Sequence, residues 1–490
     1  MMAKKNILLM IADDLGKQLG CYGNTKIQTP NLDQLAAEGT QFDQAFTSTA
    51  SCSASRSVIY TGLHTHQNGQ YGLHNGRHHF TTYDHVQTAP ALFSAHGYHT
   101  GLIGKVHVGP SQIYPWDMRA ESDSRDVASV ADQAEAFFDS SKSKEKPFFL
   151  TIGFIDPHRD LTRSGFGNTE KYDPRVKKVE YKSEDVQIEP FVNDLPGVRF
   201  EFSEYYQSIS RLDQGVGMVL DGLKKNGMSD DTLIIFMSDN GPPFINSKTT
   251  LYDAGVCLPL LIKCPGTDSG VVNPNMVSYV DILPTLLDWA KHPSPEHPAR
   301  IGRSLLPILS KSSQLDAWSR VFGSHTFHEI TNYWPTRFMR NRRFKYHRNI
   351  AWRLDFPFAA DIYGSLTWED IRNSEASPKM IGSRPLKDYF FRPAEELYDI
   401  QADPNEVKNL AKDPEYQHVL NDMRTATEVW QRRTEDPWLY RDGVSMLLVR
   451  HHLGAGLEVP DRFDFDENVP GSKGQPIFDG KLAWGAAVEN

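Results

Sequence analysis

The sequence predicts an α/β protein with a large, mostly parallel mixed sheet flanked by helices and a smaller C-terminal domain built on an antiparallel sheet. Three continuous apolar runs, residues 7–12, 147–155 and 232–237, have the pattern of strands buried on both faces of such a sheet. Residues 204–226 carry apolar side chains at helical spacing and stop at Gly227, which predicts a helix packed on the sheet.

A change of pattern near Leu315 marks the smaller domain. Beyond it, short strands broken by turns and one helix are expected. The predicted strands are residues 320–325, 342–347 and 396–399, and the predicted helix is 417–433. We therefore expect a catalytic domain over 1–314 and an α+β domain over 315–490, with a loop-rich tail beyond about Gly443.

Length and charge restrict the class of protein. A chain of 490 residues can bury a large interior, and its net charge of −10 argues against nucleic acid as a partner. Four cysteines are too few for a disulfide scaffold. The first apolar run is too short for a signal peptide, and no run reaches membrane-spanning length, so we expect a cytoplasmic protein without a membrane partner.

Acidic and amide side chains follow two of the predicted strands. Asp13 and Asp14 come after the first run, and Asp239 and Asn240 come shortly after residues 232–237. Open α/β sheets place their sites at the carboxyl ends of strands, and oxygen donors suit a hard cation such as Ca²⁺ or Mg²⁺. An isolated Asp-Asp pair is more often a turn or a cap, but the repeated arrangement favours one shared divalent cation.

The run SCSASRSVIYTG, residues 51–62, predicts a short helix that begins near Ser51 and ends at Gly62. Cys52 then lies at the helix start, where free amide groups and the helix dipole attract anions. Arg56 lies one turn further on the same side. For an isolated Cys and Arg at this spacing, a buried structural Cys and a surface Arg would be the ordinary interpretation.

Further cations and imidazoles surround these segments. Residues 102–109 alternate, which predicts a short strand with Lys105 and His107 on one face. His158 follows the strand predicted at 147–155, and Lys248 lies in a polar loop after Asp239. Together these side chains suit an anion site.

Residues 63–80 combine five histidines with several glycines. Imidazoles are good zinc ligands, but this stretch has no thiolate and no helical His spacing. We therefore favour a glycine-rich loop that borders a substrate pocket.

The motif at 52–56 with Thr61-Gly62 resembles the sulfatase signature, Cys-x-Pro-Ser-Arg followed by Thr-Gly, and the resemblance extends over nearly the whole chain. Within that family the chain is most similar to the sulfamidases, or heparan N-sulfatases. The stretches that carry this similarity are residues 62–63, 66–69, 71–74, 78–80, 104–105, 107–110, 156–159, 213–217 and 328–329.

The resemblance implies an alkaline-phosphatase-like fold, with Cys52 oxidised by a maturation enzyme to formylglycine, whose hydrate is the nucleophile. It implies a divalent cation held beside residue 52, with Ca²⁺ favoured over Mg²⁺ and Mn²⁺. The implied metal residues are Asp13, Asp14, Cys52, Asp239 and Asn240. The implied catalytic residues are Cys52, Arg56, Lys105, His107, His158 and Lys248. The implied substrate-binding residues are His78, His79, His328 and Glu329.

The implied activity is hydrolysis of the sulfamate of an N-sulfated glucosamine unit, on a small sulfated saccharide. Two positions depart from the family pattern: Ala54 stands where Pro is usual, and Lys248 stands where a sulfamidase would carry Arg. Alternatives are an O-sulfatase acting on a sugar or aryl sulfate, a phosphonate or phosphodiester hydrolase, and a non-catalytic glycan binder if Cys52 stays unmodified. A homodimer is a further expectation.

Overall fold

The computed structural model describes residues 5–75, 77–162 and 164–439. The described strands are β1 (Asn6–Ala12), β2 (Thr40–Phe46), β3 (His99–Gly104), β4 (Met118–Glu121), β5 (Phe148–Gly153), β6 (Thr232–Ser238), β7 (Cys257–Leu258), β8 (Leu260–Lys263), β9 (Val271–Ser278), β10 (Arg320–His325), β11 (Thr336–Asn341), β12 (Phe344–Asn349), β13 (Met380–Ile381), β14 (Arg384–Pro385) and β15 (Glu395–Asp399). The described α-helices are α1 (Pro30–Glu38), α2 (Cys52–Thr61), α3 (Thr65–Asn68), α4 (Ala89–Ala95), α5 (Val127–Ser143), α6 (Pro196–Lys225), α7 (Asp253–Val256), α8 (Ile282–Ala290), α9 (Ala360–Tyr363), α10 (Leu366–Asn373), α11 (Leu386–Phe390) and α12 (Gln417–Arg433).

The large sheet is mixed and mostly parallel, as predicted. Its strand order is β4-β3-β5-β1-β6-β8-β2-β7, and β9 pairs with β2. Strand β1 lies between β5 and β6 and is parallel to both. The three apolar runs of the sequence are therefore neighbours, and their carboxyl ends lie at one edge of the sheet.

Both faces of β1 are covered by helices, which explains why its sequence is continuously apolar. Leu8 and Met10 pack in one core together with side chains of α5 and α6. Ile7 and Leu9 point the other way and pack with side chains of α2 and α8. Alternate residues of the same strand thus supply two separate hydrophobic layers.

The C-terminal part of the described chain contains a four-stranded antiparallel sheet of order β10-β11-β12-β15. The predicted strand at 320–325 and the predicted helix at 417–433 are confirmed. The prediction at 342–347 is displaced by two residues, and β11 was not predicted. The boundary after residue 314 stays a prediction, and the tail beyond Gly443 lies outside the described residues.

Two other local predictions were wrong. Strand β3 ends at Gly104, so Lys105 and His107 lie in the loop after it and not on an extended strand. Helix α6 begins at Pro196, eight residues before the predicted start, because Val198 and Phe202 continue the buried face of the helix toward its N-terminus. None of the helices in the described ranges is long and apolar enough to span a bilayer.

Candidate active site

The candidate site lies where β1, β5 and β6 end together. Ala12 pairs with Ser238, so Asp13 and Asp239 leave the sheet side by side. The backbone N–H of Asp239 donates to the carbonyl of Ala12 at 3.1 Å, and the N–H of Asp13 donates to the carbonyl of Asp156 at 3.2 Å. The parallel pairing of three strands therefore gathers residues that are more than 200 positions apart in sequence.

Three carboxylates and one amide meet at this edge, and all four residues are fully buried. Asp239 Oδ1 accepts from the backbone N–H of Asp14 at 3.1 Å, and Asn240 Nδ2 donates to Asp14 Oδ1 at 2.6 Å. Asp13 Oδ1 and Asn240 Oδ1 have no hydrogen-bond partner among the described residues. Buried acceptor oxygens without donors are costly unless a cation satisfies them, so this donor set fits a hard divalent ion.

Residue 52 lies against this acidic group. The Cys52 Sγ atom is 3.9 Å from Asp14 Oδ1. Ligand atoms of Cys52, Asp13 and Asp239 lie within 4.8 Å of one another, as do those of Cys52, Asp14 and His158. Burial raises the pKa of the Cys52 thiol well above its ordinary value, so an unmodified side chain would stay protonated and weakly nucleophilic.

Helix α2 presents residue 52 in the way the sequence predicts. Ser51 is the N-cap in an extended conformation, and Gly62 ends the helix with a φ of 66°. The hydroxyl of Ser51 does not cap the helix, because its Oγ lies 2.9 Å from His328 Nδ1. Free amide groups of the first turn therefore remain directed toward the site.

Three cations face the three carboxylates. Arg56 Nε donates to Asp239 Oδ2 at 2.8 Å, and Lys248 Nζ donates to Asp14 Oδ2 at 2.8 Å. Lys105 Nζ donates to Asp13 Oδ2. The backbone of Lys105 lies close to Gly153 at the end of β5. The backbone N–H of Lys105 donates to the carbonyl of Gly153 at 2.7 Å. A side chain on Gly153 would place its Cβ 2.2 Å from the Lys105 carbonyl oxygen, so this approach requires glycine.

The acidic residues differ in charge. Burial and the neighbouring Asp13 carboxylate raise the pKa of Asp239 to about 7, although Arg56 and Lys105 oppose this. Burial also raises the pKa of Asp13, but Lys105, His158 and Arg56 outweigh it and hold that pKa well below its usual range. One carboxyl of the group therefore retains a proton easily, as expected where several carboxylates share a small volume.

Two histidines complete the inner site. His158 Nδ1 donates to the carbonyl of Arg159, which leaves Nε2 to face Lys248 Nζ at 3.3 Å and Asp14 Oδ2 at 3.6 Å. His107 adopts a left-handed φ of 56°, and its buried Nδ1 has no hydrogen-bond partner within the described chain. Burial and Lys105 keep the pKa of His107 well below its ordinary value, so its imidazole is neutral.

The four predicted substrate-binding residues separate into an inner and an outer group. His328 is buried and touches Ser51, next to residue 52. His78 Nδ1 accepts from the backbone N–H of Ile330 at 3.2 Å, so the glycine-rich loop lies against the loop that carries His328. His79 is exposed and Glu329 is half-buried. Among the described contacts, none joins His78, His79 or Glu329 to the acidic residues.

Sequence reasoning missed one charged residue of the site. Asp361, in the short helix α9, places Oδ2 2.8 Å from Lys248 Nζ. It lies in a stretch without a recognisable motif, 113 positions after Lys248. No sequence signal marks it, because its contact exists only once the C-terminal segment packs over the large sheet.

Comparison with known proteins gives consistent results. A profile of the Sulfatase family matches residues 5–292. N-sulphoglucosamine sulphohydrolase of Homo sapiens is 38% identical over 473 residues, which cover 90% of this chain and 92% of that protein. An ulvan-active sulfatase of Formosa agariphila is 30% identical over 447 residues, which cover 88% of this chain and 81% of that protein.

Solved structures share the fold at lower identity. A protein in complex with its substrate D-glucosamine-2-N,6-O-disulfate has a TM-score of 0.64 at 20% identity, covering 88% of this chain and 98% of that one. A putative sulfatase from Bacteroides fragilis has a TM-score of 0.65 at 18% identity, covering 90% of this chain and 98% of that one.

Proposed function

This chain belongs to the sulfatase family, and from that premise we propose that it hydrolyses the sulfamate of an N-sulfated glucosamine unit. The observation that carries the proposal is the meeting of residue 52 with three buried carboxylates and three largely buried cations. Such a site binds a small tetrahedral anion and directs it at the side chain of residue 52. Similarity to the human N-sulphoglucosamine sulphohydrolase over nine-tenths of the chain supports the sulfamate as substrate.

Membership of the family implies a formylglycine at position 52 and a divalent cation. The unpartnered Asp13 Oδ1 and Asn240 Oδ1 fit such a cation, and the all-oxygen set from Asp13, Asp14, Asp239 and Asn240 supports Ca²⁺ in particular. When bound, these groups supply a nucleophilic hydroxyl of lowered pKa and a positive charge beside the sulfuryl oxygens.

The remaining chemistry belongs to side chains of the chain itself. Arg56, Lys105 and Lys248 converge on the site from three different elements and would hold the sulfuryl oxygens and stabilise the charge that develops on them. Because each of the three is paired with a carboxylate and largely buried, their positions are set before substrate arrives.

Two histidines would move the protons. Lys248 Nζ faces His158 Nε2, so this pair can deliver a proton to the departing nitrogen. Neutral His107, whose Nδ1 is buried without a partner, would take the proton from the second hydroxyl of residue 52 as sulfate leaves. The maturation enzyme in this scheme must accept Ala54 in the motif.

An O-sulfatase on a sugar sulfate is the second candidate. It is favoured by the 30% identity to a protein named as an ulvan-active sulfatase. The same anion site would serve both reactions, since the two substrates differ only in the atom that leaves.

The test is a substrate panel on matured protein. We expect sulfate release from glucosamine N-sulfate to exceed hydrolysis of 4-nitrophenyl sulfate and of bis(4-nitrophenyl) phosphate. Mass spectrometry of active protein should show conversion of Cys52 to formylglycine. Cys52→Ala should abolish turnover, whereas Cys264→Ala, which removes a buried thiol outside the site, should not. Full turnover by the Cys52→Ala protein, or a panel led by the phosphodiester, would refute the proposal.

A further inference from the structure

Asp361 occupies a position across Lys248 from the acidic residues of the site. Lys248 Nζ donates to Asp14 Oδ2 and to Asp361 Oδ2, each at 2.8 Å. The Lys248 side chain is 1% exposed, but 22% of the Asp361 side chain remains accessible. Asp361 is therefore more accessible than the fully buried carboxylates of Asp13, Asp14 and Asp239.

The segment that carries Asp361 is fastened to the loop that carries His158. Glu201, fully buried in α6, accepts from the backbone N–H groups of Leu366 at 2.9 Å and Thr367 at 3.1 Å. The same carboxylate forms a two-bond pair with Arg159 at 2.7 and 2.9 Å. Glu201 thus connects the segments that carry Asp361 and His158, and both of these side chains contact Lys248 Nζ.

The Asp361 carboxylate has acceptor capacity left. Its Oδ1 accepts from the backbone N–H of Ile362 at 2.9 Å, and its Oδ2 accepts from Lys248. Each carboxylate oxygen can accept about two hydrogen bonds. The remaining lone pairs lie beside the pair that is proposed to protonate the leaving atom.

A carboxylate at this place distinguishes the two leaving groups by chemistry. The bridging nitrogen of a sulfamate carries an N–H and departs as an amine, which is a donor throughout. The bridging oxygen of a sulfate ester has lone pairs only, and a carboxylate repels it. When a site contains a buried acceptor for a substrate N–H, a substrate without that N–H leaves the acceptor unpaired. Such a site rejects the analogue far more strongly than an apolar pocket that only fits the shape of the substrate.

We infer that Asp361 is a specificity-determining residue: beside Lys248, it accepts a hydrogen bond from the departing amine, so that the site favours N-sulfate over O-sulfate. The inference rests on the proposed function and deepens it. The role is one of recognition and adds no covalent step to the reaction.

Binding and turnover are measured separately to test it. Ligand-observed NMR titrations of matured protein give dissociation constants for glucosamine, glucose and inorganic sulfate. Sulfate release gives kcat/KM for glucosamine N-sulfate and for the O-sulfate 4-nitrophenyl sulfate. We expect Asp361→Asn to weaken glucosamine binding about tenfold and to lower kcat/KM at least as much. Sulfate binding should stay within about twofold, and the wild-type preference for glucosamine over glucose should disappear. The preference for glucosamine N-sulfate over 4-nitrophenyl sulfate should fall by about the same factor as glucosamine binding.

Two further variants serve as controls for the loss of a surface charge and for the loss of the acceptor. Asp355→Asn removes an exposed carboxylate from the same segment and should leave all these values unchanged. Asp361→Glu keeps the acceptor and should restore part of the preference for glucosamine. A common thermal midpoint for all variants excludes misfolding.

The inference is overturned if Asp361→Asn leaves the glucosamine preference intact, or if sulfate binding falls by the same factor as glucosamine binding. The second result would reduce Asp361 to an anchor for Lys248. Failure of the proposed function is a separate outcome, since it would appear in the wild-type protein as an absence of sulfate release from glucosamine N-sulfate.

Discussion

Among the groups of buried charges in the described part of the chain, two differ in their hydrogen bonding. The site cluster consists of Asp13, Asp14, Asp239, Arg56, Lys105 and Lys248. The inter-sheet cluster consists of Tyr252, Asp253, Lys345, Glu396 and Glu406, and it joins α7, which follows β6 of the large sheet, to β12 and β15 of the small one. Both clusters combine acids with cations in a buried setting.

In the inter-sheet cluster the charged side chains are matched. Lys345 Nζ donates to Asp253 Oδ1 at 2.7 Å, and Glu406 Oε2 accepts from the backbone N–H of Asp253 at 2.6 Å. Glu396 Oε2 accepts from the hydroxyls of Tyr252 and Tyr398 at 2.9 and 2.7 Å. The site cluster instead leaves Asp13 Oδ1 and other buried polar atoms without a hydrogen-bond partner among the described residues.

The pKa shifts follow this contrast. Burial raises the pKa of Glu396, but His347, Arg392 and Arg384 outweigh it and lower that pKa to about 2. Burial raises the pKa of Asp239 in the site cluster to about 7. The comparison indicates that the inter-sheet cluster stabilises the fold, whereas the site cluster is arranged for a cation and an anion that bind to it.

The largest expected effect breaks the site cluster without harming the fold. Asp239→Asn should lower turnover at least about a thousandfold, or about 4 kcal/mol, because it removes one of the proposed cation ligands. Without added metal its thermal midpoint should stay close to that of wild type, because removal of a carboxyl whose pKa is raised opposes the weakening of the buried Arg56–Asp239 pair. Activity assays and thermal melts measure the two effects.

Added Ca²⁺ separates the two proteins further. At about one hundred times its Kd, a cation that binds only the folded state stabilises it by about 2.7 kcal/mol. The free energy of unfolding of wild type should rise by this amount, and that of Asp239→Asn should rise much less. Asp231→Asn, at the exposed opposite end of β6, is the matched control. Equal stabilisation of both proteins would show that Asp239 does not hold the ion.

The next effect breaks the inter-sheet cluster. Asp253→Asn should destabilise the protein by about 3 kcal/mol, because it leaves Lys345 buried with a weakened partner set. The protein that remains folded should keep most of its turnover. Chemical denaturation measures the free energy of unfolding, and Asp316→Asn, an exposed carboxylate, should change it by less than about 0.5 kcal/mol. If Asp253→Asn lost activity without losing stability, the assignment of the inter-sheet cluster to fold stability would be wrong.

The last of the four effects concerns acid stability. Because the folded pKa of Glu396 lies at about 2, below its ordinary 4.5, its contribution is complete above about pH 4.5 and is lost as the pH falls toward 2. The shift corresponds to about 3 kcal/mol at most. Unfolding free energies of wild type and Glu396→Gln should therefore differ at pH 6 and converge near pH 2. A constant difference over this range would assign the stabilisation to packing.

Much of the site was predictable because its residues directly follow apolar strands. Asp13 and Asp239 could be placed at one edge of the sheet because each follows a continuously apolar strand. Cys52 could be placed at the start of α2 because polar residues precede this helix and Gly62 ends it. These signals are local, since burial on both faces and helix termination are properties of a few consecutive residues. They do not predict the local structure of Lys105 and His107, because a loop with positive φ at Gly104 and His107 follows β3 in place of the expected strand.

The sequence by itself determined the three central strands of the large sheet, the acidic residues that follow two of them and the helix that starts at residue 52. Only the tertiary structure decided that Ser51 contacts His328, that Glu201 joins the Arg159 loop to the start of α10, and that Asp361 faces Lys248. The reason is physical: side-chain periodicity is set by the backbone geometry of each element, whereas contacts between distant loops depend on how the two sheets pack against each other.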